Sequence, residues 1–273
     1  MSVPTRAQVR HSGVCRLLAA IVTITFWMTG PLSRGAGADE LSLSAGSDFS
    51  SGNYGLAQST KVLSNTLLTK YEAERWSVGV TLPHLRTDGP GNVIPAIGSV
   101  GNLPASEPVV RTGVGDLILA ASYDPVSLPT SGTYLTATGK IRFGTAPVSR
   151  GLGTGQNSYY LQLEAIQRIG GDLDAIASFG RRFGGGSPDI PLRDVWYGSI
   201  GAGYKFSREF SGGLSFDRRQ PLSDAGGPER ELTLYVKYRI TPDWSVKPYI
   251  VKGFATGSPS IGGGLVLKRA FSL

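Results

Sequence analysis

Apolar and polar residues alternate along most of the chain, in segments of about ten residues. In residues 230–241, one face carries Leu232, Leu234, Val236, Tyr238 and Ile240, and the other carries Thr233, Tyr235, Lys237 and Arg239. Since successive side chains of a β-strand point to opposite sides, this period predicts a strand with one apolar and one polar face. About ten residues is also the length that a tilted strand needs to cross a membrane.

Twelve segments carry this alternation, with boundaries predicted to within about two to four residues. They are residues 40–49, 59–71, 75–86, 114–125, 133–145, 158–170, 172–183, 194–206, 211–220, 230–241, 244–254 and 261–273. An even number of antiparallel strands is typical of bacterial outer-membrane barrels, whose two termini lie in the periplasm. The sequence therefore predicts an all-β fold, a transmembrane antiparallel β-barrel of about twelve strands over residues 39–273.

The connections between these segments alternate between short and long. Short turns follow the even-numbered segments, and longer polar stretches follow the odd-numbered ones, above all Thr87–Gly113. Aromatic residues cluster near the short turns and the C-terminus: Trp76, Tyr123, Phe206, Phe210, Tyr238, Trp244 and Phe271. Short periplasmic turns, longer extracellular loops and aromatic girdles are typical of outer-membrane barrels. A β-sandwich has no reason to show this asymmetry.

The first 38 residues have the pattern of a secretory signal peptide. Three arginines precede an apolar run from Leu17 to Met28, and small residues ending in Ala36-Gly37-Ala38 follow it. The run is too short for a membrane-spanning helix, which needs about twenty residues, so we expect export and cleavage before Asp39. The single cysteine, Cys15, would be removed with this segment, which excludes disulfides and cysteine chemistry in the mature chain.

The net charge overstates the basic character of the mature chain. Of the 27 Lys and Arg residues, four lie before the predicted cleavage site, so the formal charge falls from +7 to +3. That small excess gives no support for nucleic-acid binding, which needs a strong basic patch. The hydrophobic content of 40% fits a transmembrane barrel, whose strands are half polar, and equally fits a soluble all-β fold, which is the alternative.

Charged residues occupy the polar faces of the predicted strands. They include Asp116, Lys140, Arg142, Glu164, Arg168, Asp174, Arg182, Asp217, Arg219, Lys237, Arg239 and Lys268, eight basic and four acidic residues. Since a Lys or Arg that faces lipid at mid-membrane costs roughly 2–4 kcal/mol, these side chains should face the lumen. They either form salt bridges that close the bore, or line a polar channel and set its selectivity.

For a channel, the predicted selectivity residues are Lys140, Arg142, Glu164, Arg168, Arg182, Asp217, Arg219, Lys237 and Arg239. The excess of basic residues predicts a weak anion preference. The long stretch Thr87–Gly113 carries four prolines and the apolar residues Val93, Ile94, Ile97, Val100 and Leu103. It either folds inward, as a constriction or a capture site for hydrophobic solutes, or is an ordinary surface loop.

His84 is the only histidine that would remain after cleavage. A hydrolase with a Ser-His-Asn or Ser-His-Asp triad at the barrel rim is the enzyme alternative, and it requires a serine in hydrogen-bond reach of His84. No G-x-S-x-G motif is present, and His84 falls in phase with the apolar residues Trp76 to Leu82, which predicts an interfacial position near the outer rim. The glycine runs Gly89–Gly91 and Gly151–Gly155 lack the following helix and the Gly-Lys-Ser/Thr motif that nucleotide-binding loops need. The sequence therefore implies no cofactor or metal. The protein is not predicted to be an enzyme.

The last segment predicts partners in membrane assembly. Leu265, Leu267, Phe271 and Leu273 share one face, which resembles the C-terminal signal that barrel-assembly machinery reads in outer-membrane proteins. Such signals usually end in Phe or Trp, whereas this chain ends in Leu273. Outer-membrane lipid and a small-molecule solute are the other expected partners.

Two short motifs resemble those of a known family. The first resembles the GxGDL…Y signature of the outer-membrane family of meta-pathway phenol-degradation, transporter-like proteins, and it consists here of Gly113-Val114-Gly115-Asp116-Leu117 and Tyr123. The second resembles another signature of the same family and consists of Gly153–Asn157 and Tyr159. Leu82-Pro83 is similar to the "LP" that ends an early strand in that family. The resemblance implies a barrel that passes small, often aromatic or hydrophobic molecules.

Together, the pattern and the resemblance predict a Gram-negative, porin-like outer-membrane channel or uptake protein that passes small molecules passively through a charged lumen. The alternative is a barrel without a transport role, either structural or a lipid-processing hydrolase.

Overall fold

The alternating segments form one antiparallel sheet that closes on itself. The computed structural model describes residues 39–101, 107–128 and 130–273, so the predicted signal peptide, residues 1–38, lies outside the described residues. Each spanning strand pairs with its neighbours in sequence, and the first pairs with the last, from Glu40 opposite Ser272 to Ser51 opposite Ile261. No helix in these ranges is long and apolar enough to cross a membrane.

Twelve rungs make up the barrel wall. The strands are β1 (Glu40–Gly52), β2 (Thr60–Glu72), β3 (Trp76–Gly89), β4 (Val93–Ile94), β5 (Gly98–Ser99), β6 (Val109–Val114), β7 (Ile118–Leu128), β8 (Thr133–Arg142), β9 (Ser158–Arg168), β10 (Leu173–Gly184), β11 (Val195–Lys205), β12 (Phe210–Arg219), β13 (Glu229–Arg239), β14 (Trp244–Gly253) and β15 (Ile261–Ser272). β6 and β7 together form one rung, while β4 and β5 form a separate small hairpin. The prediction of a twelve-stranded antiparallel barrel is confirmed.

The fourth rung is broken where a continuous strand was predicted. β3 pairs first with β7, up to Thr81 opposite Ile118, and then with β6, from His84 opposite Val114 to Gly89 opposite Val109. The intervening residues 115–117 leave the ladder, so the GxGDL motif lies at a break in the wall instead of opening a strand. Because β3 extends to Gly89 and β6 begins at Val109, the long loop is shorter than predicted and covers residues 90–108.

The two faces of the wall differ as the alternation predicts. In β1, Ser42, Asp48 and Ser50 are buried on the inner face, whereas Leu43 on the outer face is 47% exposed. The outer face carries exposed apolar residues all around the barrel, among them Leu67, Val80, Leu161, Leu163, Ile200, Leu234, Ile250 and Leu265. This is the reverse of a soluble protein, in which large apolar side chains are covered, and it is the pattern of a wall that faces lipid.

The connections have the predicted asymmetry. At one end, the short turns lie together with the first and last described residues, and Leu273 N donates to Asp39 O at 2.9 Å. Around this end the outer face carries the predicted aromatic girdle, in which Trp76 lies opposite Tyr123 and Phe210 opposite Tyr238. The longer connections all lie at the other end, which we call the mouth.

Three inward tyrosines lie over glycines of the neighbouring strand. Tyr197 is the direct partner of Gly180, Tyr235 of Gly213 and Tyr249 of Gly264. A Cβ atom at any of these glycines would lie 2.5–2.7 Å from the tyrosine side chain, closer than real contacts allow. An aromatic ring over a strand glycine covers backbone that would otherwise be exposed, so each of these rings packs along the wall of the barrel.

Candidate functional site

The twelve predicted inward charges all lie on the inner face of the barrel, together with others that the sequence reasoning missed. With Arg111 at the mouth and Lys205 at the short-turn end, the inward bases are Lys70, Arg111, Lys140, Arg142, Arg168, Arg182, Lys205, Arg219, Lys237, Arg239, Lys247 and Lys268. The inward acids are Glu40, Asp48, Glu72, Asp116, Asp124, Glu164, Asp174, Asp217, Glu229 and Glu231. Twelve bases thus face ten acids among the described residues, so the basic excess behind the predicted anion preference is smaller than the sequence indicated.

Several of these charges form ion pairs that run along the wall. Arg142 Nε lies 2.6 Å from Asp116 Oδ2, Arg168 Nε lies 3.2 Å from Asp174 Oδ1, Lys268 Nζ lies 2.8 Å from Glu40 Oε1, and Arg219 pairs with Glu229. Each of these pairs joins neighbouring rungs. They therefore neutralise charge on the surface of the bore without reaching across it.

The Asp116 carboxylate also holds the break in the wall. Its Oδ1 accepts the Ala146 backbone N–H at 2.9 Å, while Gly115 N donates to Pro83 O at 2.8 Å and Leu117 N donates to Thr145 Oγ1 at 2.9 Å. The backbone groups released from the ladder thus find partners locally, as buried polar groups must. The aspartate of the GxGDL motif has a structural role here.

Lys140 and Arg182 flank Tyr160 in one row across three strands. Lys140 and Arg182 are both direct partners of Tyr160. Arg182 is almost fully buried and donates to Ser158 Oγ at 2.8 Å and to Tyr160 Oη at 3.2 Å, and Lys140 Nζ lies 5.2 Å from the centre of the tyrosine ring. Among the described residues neither cation has a carboxylate within salt-bridge distance. This wall therefore carries uncompensated positive charge.

The other predicted selectivity residues lie at two levels. Asp217 lies towards the mouth and accepts a hydrogen bond from Ser215 Oγ at 3.0 Å. Glu164, Lys237 and Arg239 lie nearer the short-turn end of their strands. The structure thus distributes the nine predicted residues over the whole length of the lumen instead of gathering them into one ring.

Residues 90–101, which we call the mouth plug, form a compact segment around the β4–β5 hairpin. Val93 and Ile94 are completely buried, and Ile97 and Val100 nearly so. Val93 packs with Tyr54 and Val62 of the β1–β2 side, whereas Ile94, Ile97 and Val100 pack with Ile190, Val195 and Leu222 of the β10–β13 side.

The mouth plug therefore crosses the bore. Val62 on β2 and Val195 on β11 face inward from strands six rungs apart in a ring of twelve, that is, from opposite walls. A segment that packs against both must extend over the opening between them. Of the two alternatives for the long loop, an inward fold or an ordinary surface loop, the described part of the loop takes the inward fold and constricts the opening.

Arg111 fastens the mouth plug to the rim. Its guanidinium donates to the carbonyl oxygens of Pro90 at 3.1 Å, Gly91 at 3.3 Å and Val93 at 3.0 Å, and also to Gly151 O in a neighbouring loop at 3.1 Å. On the far side, Ser223 Oγ donates to Ser99 O at 2.6 Å, and Arg219 Nη1 donates to Ala96 O at 3.4 Å. Arg111 lies in β6 and precedes the GxGDL motif, and no sequence signal distinguishes it from a surface arginine.

His84 lies on the outer face of the barrel, in phase with Val80 and Leu82, as the alternation predicts. A row of direct partners runs from Ser47 to Asn65 and then to His84. The asparagine separates the serine from the histidine, so the order is unlike that of a catalytic triad, in which the histidine contacts the serine. A shallow depression of about 360 Å³ lies on the wall beside this row, lined by Ala45, Asn65, Leu67, Leu82, His84 and Val114.

The closed wall, polar lumen and apolar outer face recur in solved structures. An outer membrane channel from Pseudomonas putida F1 matches with a TM-score of 0.66 and 15% identity, over 89% of this chain and 100% of that one. The chain has the fold of outer-membrane barrels. The KdgM porin matches with a TM-score of 0.53 and 12% identity, over 84% and 99% of the two chains, and the NanC porin with 0.53 and 11%, over 85% and 100%.

These barrels are similar to the chain in fold alone, since their identities are low. No family model and no curated protein matches the sequence. The resemblance to the meta-pathway phenol-degradation family therefore stays a prediction.

Proposed function

We propose that the protein is an outer-membrane channel or uptake protein that passes small molecules passively through its lumen. The observation that carries this proposal is the arrangement of the interior charges. The ion pairs join neighbouring rungs, and the inward tyrosines cover glycines of the adjacent strand, so these polar side chains are held along the wall of the bore.

The mouth plug is the selective element in this proposal. It closes the opening with apolar side chains, while polar hydrogen bonds fasten its two edges to the rim. A solute must therefore displace or bypass the plug before it reaches the charged lumen. Displacement of the plug uncovers its buried apolar side chains at the mouth, and these are suited to contact with small aromatic or hydrophobic groups, the predicted solute class.

The similar structures support a channel, because a channel and two porins share the fold over nearly their whole length. In the membrane the apolar outer face would contact lipid, with the short-turn end in the periplasm and the mouth outside. Export by the N-terminal segment and reading of the last strand by barrel-assembly machinery belong to the same proposal.

Planar-bilayer recording tests the proposal directly. The protein is purified from outer membranes of cells that express the full chain, and its folding is checked by the heat-dependent shift that closed barrels show on gels. We expect discrete conductance steps that are absent from an identical preparation of cells lacking the gene. Silence from folded protein, both unaltered and with the plug fastening removed by Arg111→Ala, would contradict a channel.

A further inference from the structure

Three cations lie together on the outer face of the barrel, near the mouth. Arg218 on β12 and Arg230 on β13 are direct cross-strand partners, and Lys252 lies on β14 opposite Leu232, two residues from Arg230. All three side chains are exposed. Like charges that face each other across two antiparallel strands destabilise the sheet. This group, which we call the rim patch, therefore costs stability unless an anion binds to it.

The described part of the chain offers the rim patch no counter-charge. None of the ion pairs among the described residues includes one of its three side chains, and Lys252 Nζ donates to the backbone oxygen of Ser260 at 2.9 Å. The outer faces of the described strands β11 to β15 carry no acidic residue. The outward arginine of the neighbouring β10 differs in this respect, since Arg181 Nη2 lies 3.5 Å from Asp194 Oδ2. The rim patch therefore presents its positive charges to the surroundings of the barrel.

The strand geometry places the rim patch at the border of the membrane. Each cation lies eight residues along its strand from an aromatic residue at the short-turn end: Arg218 from Phe210, Arg230 from Tyr238, and Lys252 from Trp244. Eight steps of about 3.3 Å along a strand tilted by roughly 40° rise about 20 Å, and the apolar band of such barrels is about 25 Å tall. Since long cationic side chains extend towards the polar region, the three charged groups should reach the lipid headgroups on the mouth side.

Aromatic and apolar side chains complete the surface around the charges. Trp196 and Phe254 are 43% and 58% exposed at the same end of the outer face, and the backbone N–H of Phe254 donates to Arg230 O at 2.8 Å. Aromatic residues at this level are typical of the second interfacial girdle of a membrane barrel. Towards the short-turn end, the exposed side chains of Leu232 and Ile250 follow the cations on β13 and β14. A lipid can therefore contact the apolar wall with its chains while its headgroup meets the rim patch.

With the mouth outside, as in the proposed function, the lipid at this level is the phosphorylated glycolipid of the outer leaflet. A guanidinium group binds phosphate oxygens through paired hydrogen bonds, so two adjacent arginines and a lysine match a headgroup that carries several phosphate charges. We propose that the rim patch binds the phosphate groups of this glycolipid, whose acyl chains lie along the apolar wall. The binding surface is separate from the lumen and the mouth plug, and it anchors the mouth end of the barrel at the polar border of the outer leaflet.

The test measures equilibrium binding of radiolabelled diphosphoryl lipid A to the purified full-chain product in a neutral detergent, with folding checked by the gel shift. The variant Arg218→Gln/Arg230→Gln removes two charges from the rim patch. The matched control Lys61→Gln/Arg86→Gln removes two exposed charges from the outer face of β2 and β3, where Lys61 already has Asp88 as its direct partner. Phosphatidylglycerol, lipid A without its phosphates, and inorganic phosphate serve as unlabelled competitors.

We expect lipid A to bind the rim variant about 25-fold more weakly than the native protein, because each cation near a charged lipid surface contributes roughly fivefold to binding. Binding to the control should stay near the native value. If the double variant does not fold, Arg230→Gln alone should still weaken binding about fivefold. None of the three competitors should displace the labelled lipid at equal concentration.

Equal binding to the native protein and the rim variant, or an equal loss in the control, overturns the proposal. Displacement by inorganic phosphate assigns the rim patch to the free anion, and displacement by phosphatidylglycerol assigns it to anionic lipids in general. Displacement by lipid A without its phosphates shows that the phosphates are not what binds. Each of these results overturns recognition of the glycolipid phosphates. Bilayer conductance tests the channel separately, since the rim patch lies outside the bore: both variants should conduct as the native protein does, and silence with intact lipid binding contradicts the channel alone.

Discussion

Replacing Arg111 with alanine should release the mouth plug. The side chain gives the plug three hydrogen bonds, to the carbonyls of Pro90, Gly91 and Val93. A hydrogen bond to a charged donor contributes about 1.5–3 kcal/mol, but the carbonyls at the edge of the plug regain water in the variant. The variant should therefore lose about 2–4 kcal/mol of the free energy that holds the plug closed. This loss shifts the equilibrium between the closed and the released plug roughly 30- to 1000-fold towards the released plug.

Ser99 offers a direct measure of that shift. This residue belongs to the mouth plug and is 2% exposed. The chain beyond the predicted cleavage site contains no cysteine, so Ser99→Cys introduces a single thiol. Its labelling by a membrane-impermeant maleimide should accelerate by the same factor in Arg111→Ala, and the open probability in bilayers should rise. The control is Arg86→Ala, which removes an exposed arginine from the outer face at the same height.

The apolar contacts of the plug should keep it folded when the Arg111 side chain is removed. Val93 and Ile94 remain buried in the variant, and each buried aliphatic side chain is worth about 1.5–3 kcal/mol, so the plug should open more often without unfolding. A labelling rate that is unchanged in a folded Arg111→Ala barrel would refute the view that Arg111 fastens the plug.

Three further changes test the wall itself. Asp116→Asn breaks a buried ion pair and should lower the free energy of unfolding by about 3–5 kcal/mol, measured by urea titration with the gel shift as readout. Gly213→Ala places a Cβ against both the Ala202 carbonyl oxygen and the Tyr235 side chain and should lower the free energy of unfolding by about 1–3 kcal/mol through overpacking. Gly139→Ala, where a Cβ meets nothing within 4 Å, should be far milder, and equal losses would refute the packing argument. His84→Ala should leave esterase activity in detergent at the same background level, whereas a loss of measurable hydrolysis would revive the hydrolase alternative.

The strands were predictable because the physics behind them is local. Successive side chains of each strand face lipid and lumen in turn, so apolar and polar residues must alternate. This alternation, for example from Leu232 to Arg239, can be recognised in the sequence alone. The sidedness of the connections and the position of His84 follow from the same period.

The interior was only partly predictable, because it depends on which strands lie opposite each other. Glu229 and Glu231 are in phase with Lys237 and could have been counted as inward by the same rule. That Arg219 pairs with Glu229, or that Arg111 binds carbonyls of the plug, depends on register and on the path of a loop, which periodicity does not determine. The break at residues 115–117 likewise arises from tertiary partners, above all the carboxylate of Asp116.

The seam between β1 and β15 has a consequence for how the chain acquires this structure. These two strands pair over twelve residues each, yet they are the most distant strands in sequence, so their contacts have the largest loop-closure cost and should form last. Until these strands pair, the sheet has two open edges. The backbone N–H and C=O groups at these edges have no neighbouring strand to bind, and lipid offers them no hydrogen bonds. Folding is therefore all-or-none around the ring: removing either outermost strand would leave an open, aggregation-prone sheet and not a smaller barrel.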